Sequence, residues 1–420
     1  MIDVTILRTQ PDLIRSALTR RGVDIDVDSL VAMDESVRRA RQAAEETRAA
    51  QRDAGKAIAT LQGEEKQAAI ASASELAERF KALDVEASEL QTRFDEVWIT
   101  VPNLVDPTAA DGFTDADNVE IKRVGSIDAP GFPVQDYAAL GSSLDVIDTD
   151  RATKVSGSRF GYLKGKAVLL EFALVRFALE RLSEAGFTPM VPPVLVKEEA
   201  LFGTGFFPDA REQVYSVPED GLFLVGTAEV PLAAYHMDEI FDTGDLPRRY
   251  AGFSTCFRRE AGTYGKDTAS IFRVHQFDKV EMFVFTNPED SQAEHDRLLG
   301  LEESLVSALE VPYRVVNVAA GDLGASAAKK YDIEAWFPGQ QAFREVTSCS
   351  NTTDFQARRL KVRQRTDSGN RVIHTLNGTA VAVGRTILAI LENHQQADGS
   401  VLIPEALRPY TGFDAIEPVS

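Results

Sequence analysis

Residues 248 to 285, RRYAGFSTCFRREAGTYGKDTASIFRVHQFDKVEMFVF, concentrate the side chains best suited to chemistry. Two apolar runs flank a polar, glycine-bearing loop, the pattern of a long β-hairpin. Alternation along the first run places Arg258 and Glu260 on one face and Arg259 on the other. Arg273, Phe277 and Glu281 recur every four residues along the second, again on one face. The surface so formed carries two arginines, two carboxylates and one aromatic ring. Cross-strand ion pairs on a solvated sheet face would account for the charges, but not for Phe277 among them. A planar guanidinium holds phosphate oxygens, and a ring beside it offers a stacking partner to adenine.

Such a surface needs a sheet to carry it. The longest strand candidates are neighbours in sequence and lack crossover helices. The sequence therefore predicts an α+β body with an antiparallel sheet, flanked by helices at 166–185 and 289–309. Neither a GxxxxGK[ST] loop nor a GxGxxG opening a helix is present, so a nucleotide would be held by side chains on the sheet. Between residues 34 and 98 proline is absent and Ala, Glu, Gln, Arg and Leu dominate. Val37, Ala40, Ala44, Thr47, Gln51, Ala54, Ile58 and Leu61 advance in steps of three and four, as do Ala69, Ala73, Leu76, Phe80, Leu83, Ala87, Leu90, Phe94 and Val97. Two such seams joined at Gly63 predict an antiparallel two-helix coiled-coil arm, each helix about 28 to 35 residues long. The Pro- and Asp-rich segment 101–118 reads as the linker that follows, which places a domain boundary near 110 and divides the chain into 1–110 and 111–420.

Composition bounds the function. With 420 residues and 44% hydrophobic positions, the chain is long enough for two domains. Cys256 and Cys349 have no neighbouring Cys or His at metal-ligand spacing, so neither a disulfide framework nor a zinc site is expected, and a reducing cytoplasm fits. No apolar run is long enough to span a membrane, and the N-terminus lacks a signal-peptide pattern. A net charge of −20 argues on its face against nucleic acid as a partner. It leaves room for a local basic strip such as Arg38, Arg41, Arg48, Arg52 and Lys56 on the first long helix, whose alternative is a solvated face balanced by acids.

Phe257, Arg258 and Glu260, then a loop, then Arg273, Phe277 and Glu281, together resemble motif 2 of class II aminoacyl-tRNA synthetases, and HQFDKVE narrows the likeness to the seryl-tRNA synthetases of bacteria. NGTAVAVGRTILAILEN is similar to motif 3, with Arg385 opening a helix. GFTPMVPPVLV is similar to motif 1, with Pro193 at the proline position. VGTAEVPL and FREVTSCSNTTDFQARR match two seryl-type signatures. Together with the arm, the likeness spans essentially the whole chain in the family's order.

The resemblance implies a serine–tRNA ligase that forms seryl-adenylate from serine and ATP and esterifies the 3′ end of tRNA-Ser, with tRNA-Sec left open as a second acceptor. It implies Arg258 and Arg385 as catalytic groups, and Thr227, Ala228, Glu229, Arg258, Glu281 and Thr379 around serine. For ATP it implies Arg258, Arg259, Glu260, Val274, Phe277, Glu345, Val346, Thr347, Ser348 and Arg385, with Glu345 and Ser348 holding Mg²⁺. The arm would grip tRNA-Ser, and the motif 1 region would form a homodimer. Two departures stand out: Thr379 where the family often has serine, and Asp267-Thr268-Ala269-Ser270 where it commonly reads Asp-Thr-Arg-Gly. The second keeps open a specialised paralogue that serves a biosynthetic pathway or resists an inhibitor. A non-catalytic tRNA-binding homologue is the remaining alternative.

Overall fold

The computed structural model describes residues 1–127, 130–262 and 270–419, and the chain divides into two compact units. One unit comprises residues 2–19 and 23–102 and is dominated by two helices, α1 (Val27–Ile58) and α2 (Gly63–Trp98), packed on each other. At 1.5 Å per residue they are roughly 50 Å long. Asp26 caps α1 by accepting from the backbone N–H groups of Asp28 and Ser29. The expected seam is the one that packs: Val37, Ala44, Thr47, Ala87 and Phe94 are buried. The seam departs from expectation at its end. Val97 is 38% exposed, and Trp98 takes the buried place, stacked 5.6 Å from Phe94. Steps of three and of four from Phe94 both stay near its face, and here the step of four is the one that packs.

The other unit comprises residue 1, residues 20–22 and residues 103–420. It is built on an eight-stranded sheet: β1 (Val119–Val124), β2 (Thr188–Met190), β3 (Arg248–Phe257), β4 (Gln276–Thr286), β5 (Tyr313–Asn317), β6 (Lys329–Phe337), β7 (Ala342–Thr353) and β8 (His374–Ala382). The spatial order is β1-β5-β6-β7-β8-β4-β3-β2, antiparallel throughout except for the edge pair β2 and β3. The class is α+β, as expected. Helices α3 (Lys166–Glu184), α5 (Ser291–Ala308) and α6 (Val383–Asn393) pack on the sheet, burying Leu170, Leu174, Leu298, Leu305, Ile387 and Leu391 against Val280, Met282, Val284 and Leu376. A shorter helix, α4 (Glu229–Ala234), packs Leu232 and Ala233 against Phe283 and Phe285. Trp336 in β6 lies 5.0 Å from Phe343 in β7.

The β3–β4 hairpin is shorter than the sequence pattern predicts. Pairing runs from Arg248↔Phe285 to Phe257↔Gln276, so Arg258, Glu260 and Arg273 fall outside the strands. Ile271, Phe272 and Val274 bury their side chains in the main core, which draws that segment off the ladder. Of the Asp267–Ser270 departure, only Ser270 lies within the described residues.

Candidate active site

Alternation along β4 sorts its side chains. Val280, Met282 and Val284 enter the core, whereas Phe277, Lys279 and Glu281 line a cavity of about 680 Å³. The same cavity is lined by Thr227, Glu229, Arg258, Glu260, Arg273, Val274, Glu345, Val346, Thr347, Ser348, Thr379 and Arg385. Of the residues expected at the site, Ala228 and Arg259 are not among those lining it. Ala228 is buried in the apolar cluster beneath α4. The Arg259 guanidinium lies 5.0 Å from the Tyr215 ring, and its backbone N–H donates to the Gln213 carbonyl.

Arg258 follows β3 directly. Its backbone N–H donates to the His275 carbonyl at 2.9 Å, which carries the hairpin one bond past the ladder. Its Nε donates to the Gly226 carbonyl at 3.1 Å, and its guanidinium sits 5.2 Å from the Phe277 ring centre. Glu260, in left-handed backbone at φ 51°, holds Arg273 at 3.0 Å.

Glu345 and Ser348 are three residues apart, a spacing that puts side chains on opposite faces of a regular strand. The β6–β7 register shifts between them: Glu345 pairs with Glu334, Thr347 with Ile333 and Ser348 with Asp332. Val346 is the extra residue, and this bulge brings Glu345 and Ser348 to the cavity face together. Arg385, at the start of α6, donates from Nη1 to the Glu345 carbonyl at 3.0 Å and lies 3.3 Å from its carboxylate. Burial works against ionisation of Glu345, but Arg385, Lys330 and Arg258 outweigh it and lower its pKa to about 2.

Two buried carboxylates also line the cavity. Glu281 faces Thr379 across β4 and β8 and is paired with Lys279. Glu229 accepts from Gln356 at 2.7 Å and Asn377 at 3.0 Å, and its backbone N–H donates to the Thr227 hydroxyl. Burial, reinforced by the charge on Glu281, raises the Glu229 pKa to about 7.

Several participants escaped the sequence reading. Lys279 sits between Phe277 and Glu281 at period two, and Asn377 is two residues before Thr379, so alternation could have found both. Lys330 lines the cavity from β6, and Gln356 reaches Glu229 from the helix Phe355–Leu360; no local pattern marks either.

Comparison with known proteins agrees along the whole length. Residues 1–105 match the seryl-tRNA synthetase N-terminal domain, and residues 214–394 match the tRNA synthetase class II core domain (G, H, P, S and T). The chain is 52% identical to the serine–tRNA ligase of Acidothermus cellulolyticus and 51% identical to that of Streptomyces coelicolor, each over 100% of both chains. Among solved structures it is similar to the seryl-tRNA synthetase of Pyrococcus horikoshii complexed with ATP, at a TM-score of 0.96 and 42% identity, covering 100% of both chains. It is also similar to the cytoplasmic serine–tRNA ligase of Naegleria fowleri in complex with AMP, at a TM-score of 0.91 and 33% identity, covering 100% of this chain and 99% of that one.

Proposed function

The chain belongs to the seryl-tRNA synthetase family and is an ATP-dependent ligase that joins serine to tRNA, and from that premise we propose how its cavity divides the work. The carrying observation is that one cavity is lined by two kinds of group: Arg258, Phe277, Glu345 and Arg385, and Thr227, Glu229, Glu281 and Thr379. The first suits ATP and the second suits serine.

In the first step the serine carboxylate attacks the α-phosphorus of ATP and pyrophosphate leaves. Charge spreads over phosphoryl oxygens, so fixed cations and alignment supply most of the acceleration. The Arg258 charge acts on both Glu345 and Glu229, and its fork holds the serine carboxylate and the α-phosphate together. Phe277 stacks on adenine, Glu260 accepts from the adenine amino group, Val274 borders the base, and Arg385 takes the γ-phosphate. Binding of nucleotide therefore competes with the Arg273–Glu260 and Arg385–Glu345 pairs. Glu345 and Ser348 supply hard oxygen donors on one face, a pair that would hold Mg²⁺. When bound, the ion neutralises developing phosphate charge.

Glu229 receives the serine ammonium with Thr227, while Glu281 and Thr379 bond its hydroxyl. Alanine would leave those buried groups unpaired, a discrimination of up to about 10⁴-fold. The hairpin of α1 and α2 grips tRNA-Ser. Several of its basic side chains make local contacts: Arg38 pairs with Asp34, Arg41 bonds Gln91, and Arg48 stacks on Phe80. Among the described residues no helix is long and apolar enough to cross a membrane. Serine-dependent ATP–pyrophosphate exchange followed by charging of tRNA-Ser tests the whole reading; exchange with alanine equal to that with serine would remove it.

A further inference from the structure

Glu302 lies outside the cavity, on α5, with no exposed surface. The Thr347 hydroxyl donates to its Oε2 at 3.1 Å. The carboxyl also meets the Cys349 thiol, and its buried Oε1 lies under Gly378, where a Cβ would come within 2.8 Å of it. Thr347 adjoins Val346, the extra residue of the β7 bulge, and its pairing with Ile333 puts its side chain on the core face. Gly378 pairs with Cys349 on the same strand. One carboxyl thus touches β7 just past the bulge and β8 alongside it.

We propose that Glu302 is a positioning residue that locks the β7 bulge through Thr347, and so keeps Glu345 and Ser348 on the cavity face. Without that bond a one-residue slip would restore simple alternation and turn one of the two away from the cavity. The claim rests on the reading of Glu345 and Ser348 as the metal-holding pair, though the bulge itself can be tested without metal. Burial pushes the Glu302 carboxyl well above the ordinary carboxylate range, so glutamine keeps both its neutrality and its acceptor.

The test uses the full chain carrying Thr347→Val, Glu302→Leu or Glu302→Gln. Hydrogen–deuterium exchange over residues 343–350 is followed without nucleotide or metal, and the Mg²⁺ dependence of pyrophosphate exchange is measured separately. Thr347→Val and Glu302→Leu should speed amide exchange in that segment and raise the Mg²⁺ needed for half-maximal activity by about tenfold or more, with the KM for serine unchanged. Glu302→Gln should restore both. Should Glu302→Leu fail to fold, Thr347→Val decides, since it removes one hydroxyl at constant shape. Normal amide protection in Thr347→Val overturns the proposal, as does a Mg²⁺ dependence that Glu345→Gln shifts and Thr347→Val leaves alone. A dependence that Glu345→Gln also leaves unmoved overturns the metal assignment instead.

Discussion

Arg258 and Glu229 show how position gives a common side chain an uncommon task. The Arg258 side chain has a backbone carbonyl and an aromatic face beside it and, among the described residues, no carboxylate bonded to it, which favours an anion there. Arg258→Ala should lower serine-dependent pyrophosphate exchange by at least about 10²-fold with the melting temperature little changed. Near-normal exchange would remove its role. Glu229 makes a different prediction. Its folded pKa of about 7 lies above the unfolded value, so its proton favours the folded state. That stabilisation is complete below the unfolded value of 4.5 and is lost as pH rises through about 7. Serine binding has the opposite requirement, because the ammonium needs the carboxylate ionised. The KM for serine should therefore fall as pH rises from 6 to 8, by up to about tenfold per unit below the pKa, and Glu229→Gln should flatten that profile.

Among the elements, the α1–α2 hairpin and the β3–β4 hairpin were legible because each repeats its own period over many residues. What escaped the sequence lies where a period breaks. Trp98 replaces Val97 at the seam's end, because a step of three and a step of four are equally acceptable to the pattern. Arg273 leaves β4, because Ile271, Phe272 and Val274 find the core more favourable than the ladder. The bulge at Val346 is invisible to alternation, and it alone puts Glu345 beside Ser348. Lys330 and Gln356 come from separate elements, so only tertiary structure could bring them in. Truncation at the seam gives an element-level prediction. Phe94→Ala removes a buried ring stacked on Trp98 and should destabilise the hairpin by about 3 to 5 kcal/mol. Calorimetry on the full chain would show this as a separate early transition. Pyrophosphate exchange should survive while charging of tRNA-Ser falls; equal loss of both would contradict the division of labour.

For the whole molecule, two surfaces matter. Around motif 1, Leu169 and Phe172 on α3 and Val191 after β2 are 53%, 61% and 83% exposed. Apolar groups so placed favour a partner, and a second copy is the one the family resemblance implies. On that reading Phe172→Glu should lower the sedimentation coefficient of the full chain, and an unshifted boundary would count against a second copy at this face. Charging should likewise be lost when the long variable arm is removed from tRNA-Ser while pyrophosphate exchange is unaffected. The chain has only two tryptophans, and they fall one to each unit: Trp98 against Phe94, and Trp336 beside Phe343. Intrinsic emission is thus already addressed by domain. With Trp336→Phe the remaining fluorophore reports only the base of the helical pair, and with Trp98→Phe only the sheet, so two single-site substitutions turn one optical signal into independent records of how each half melts.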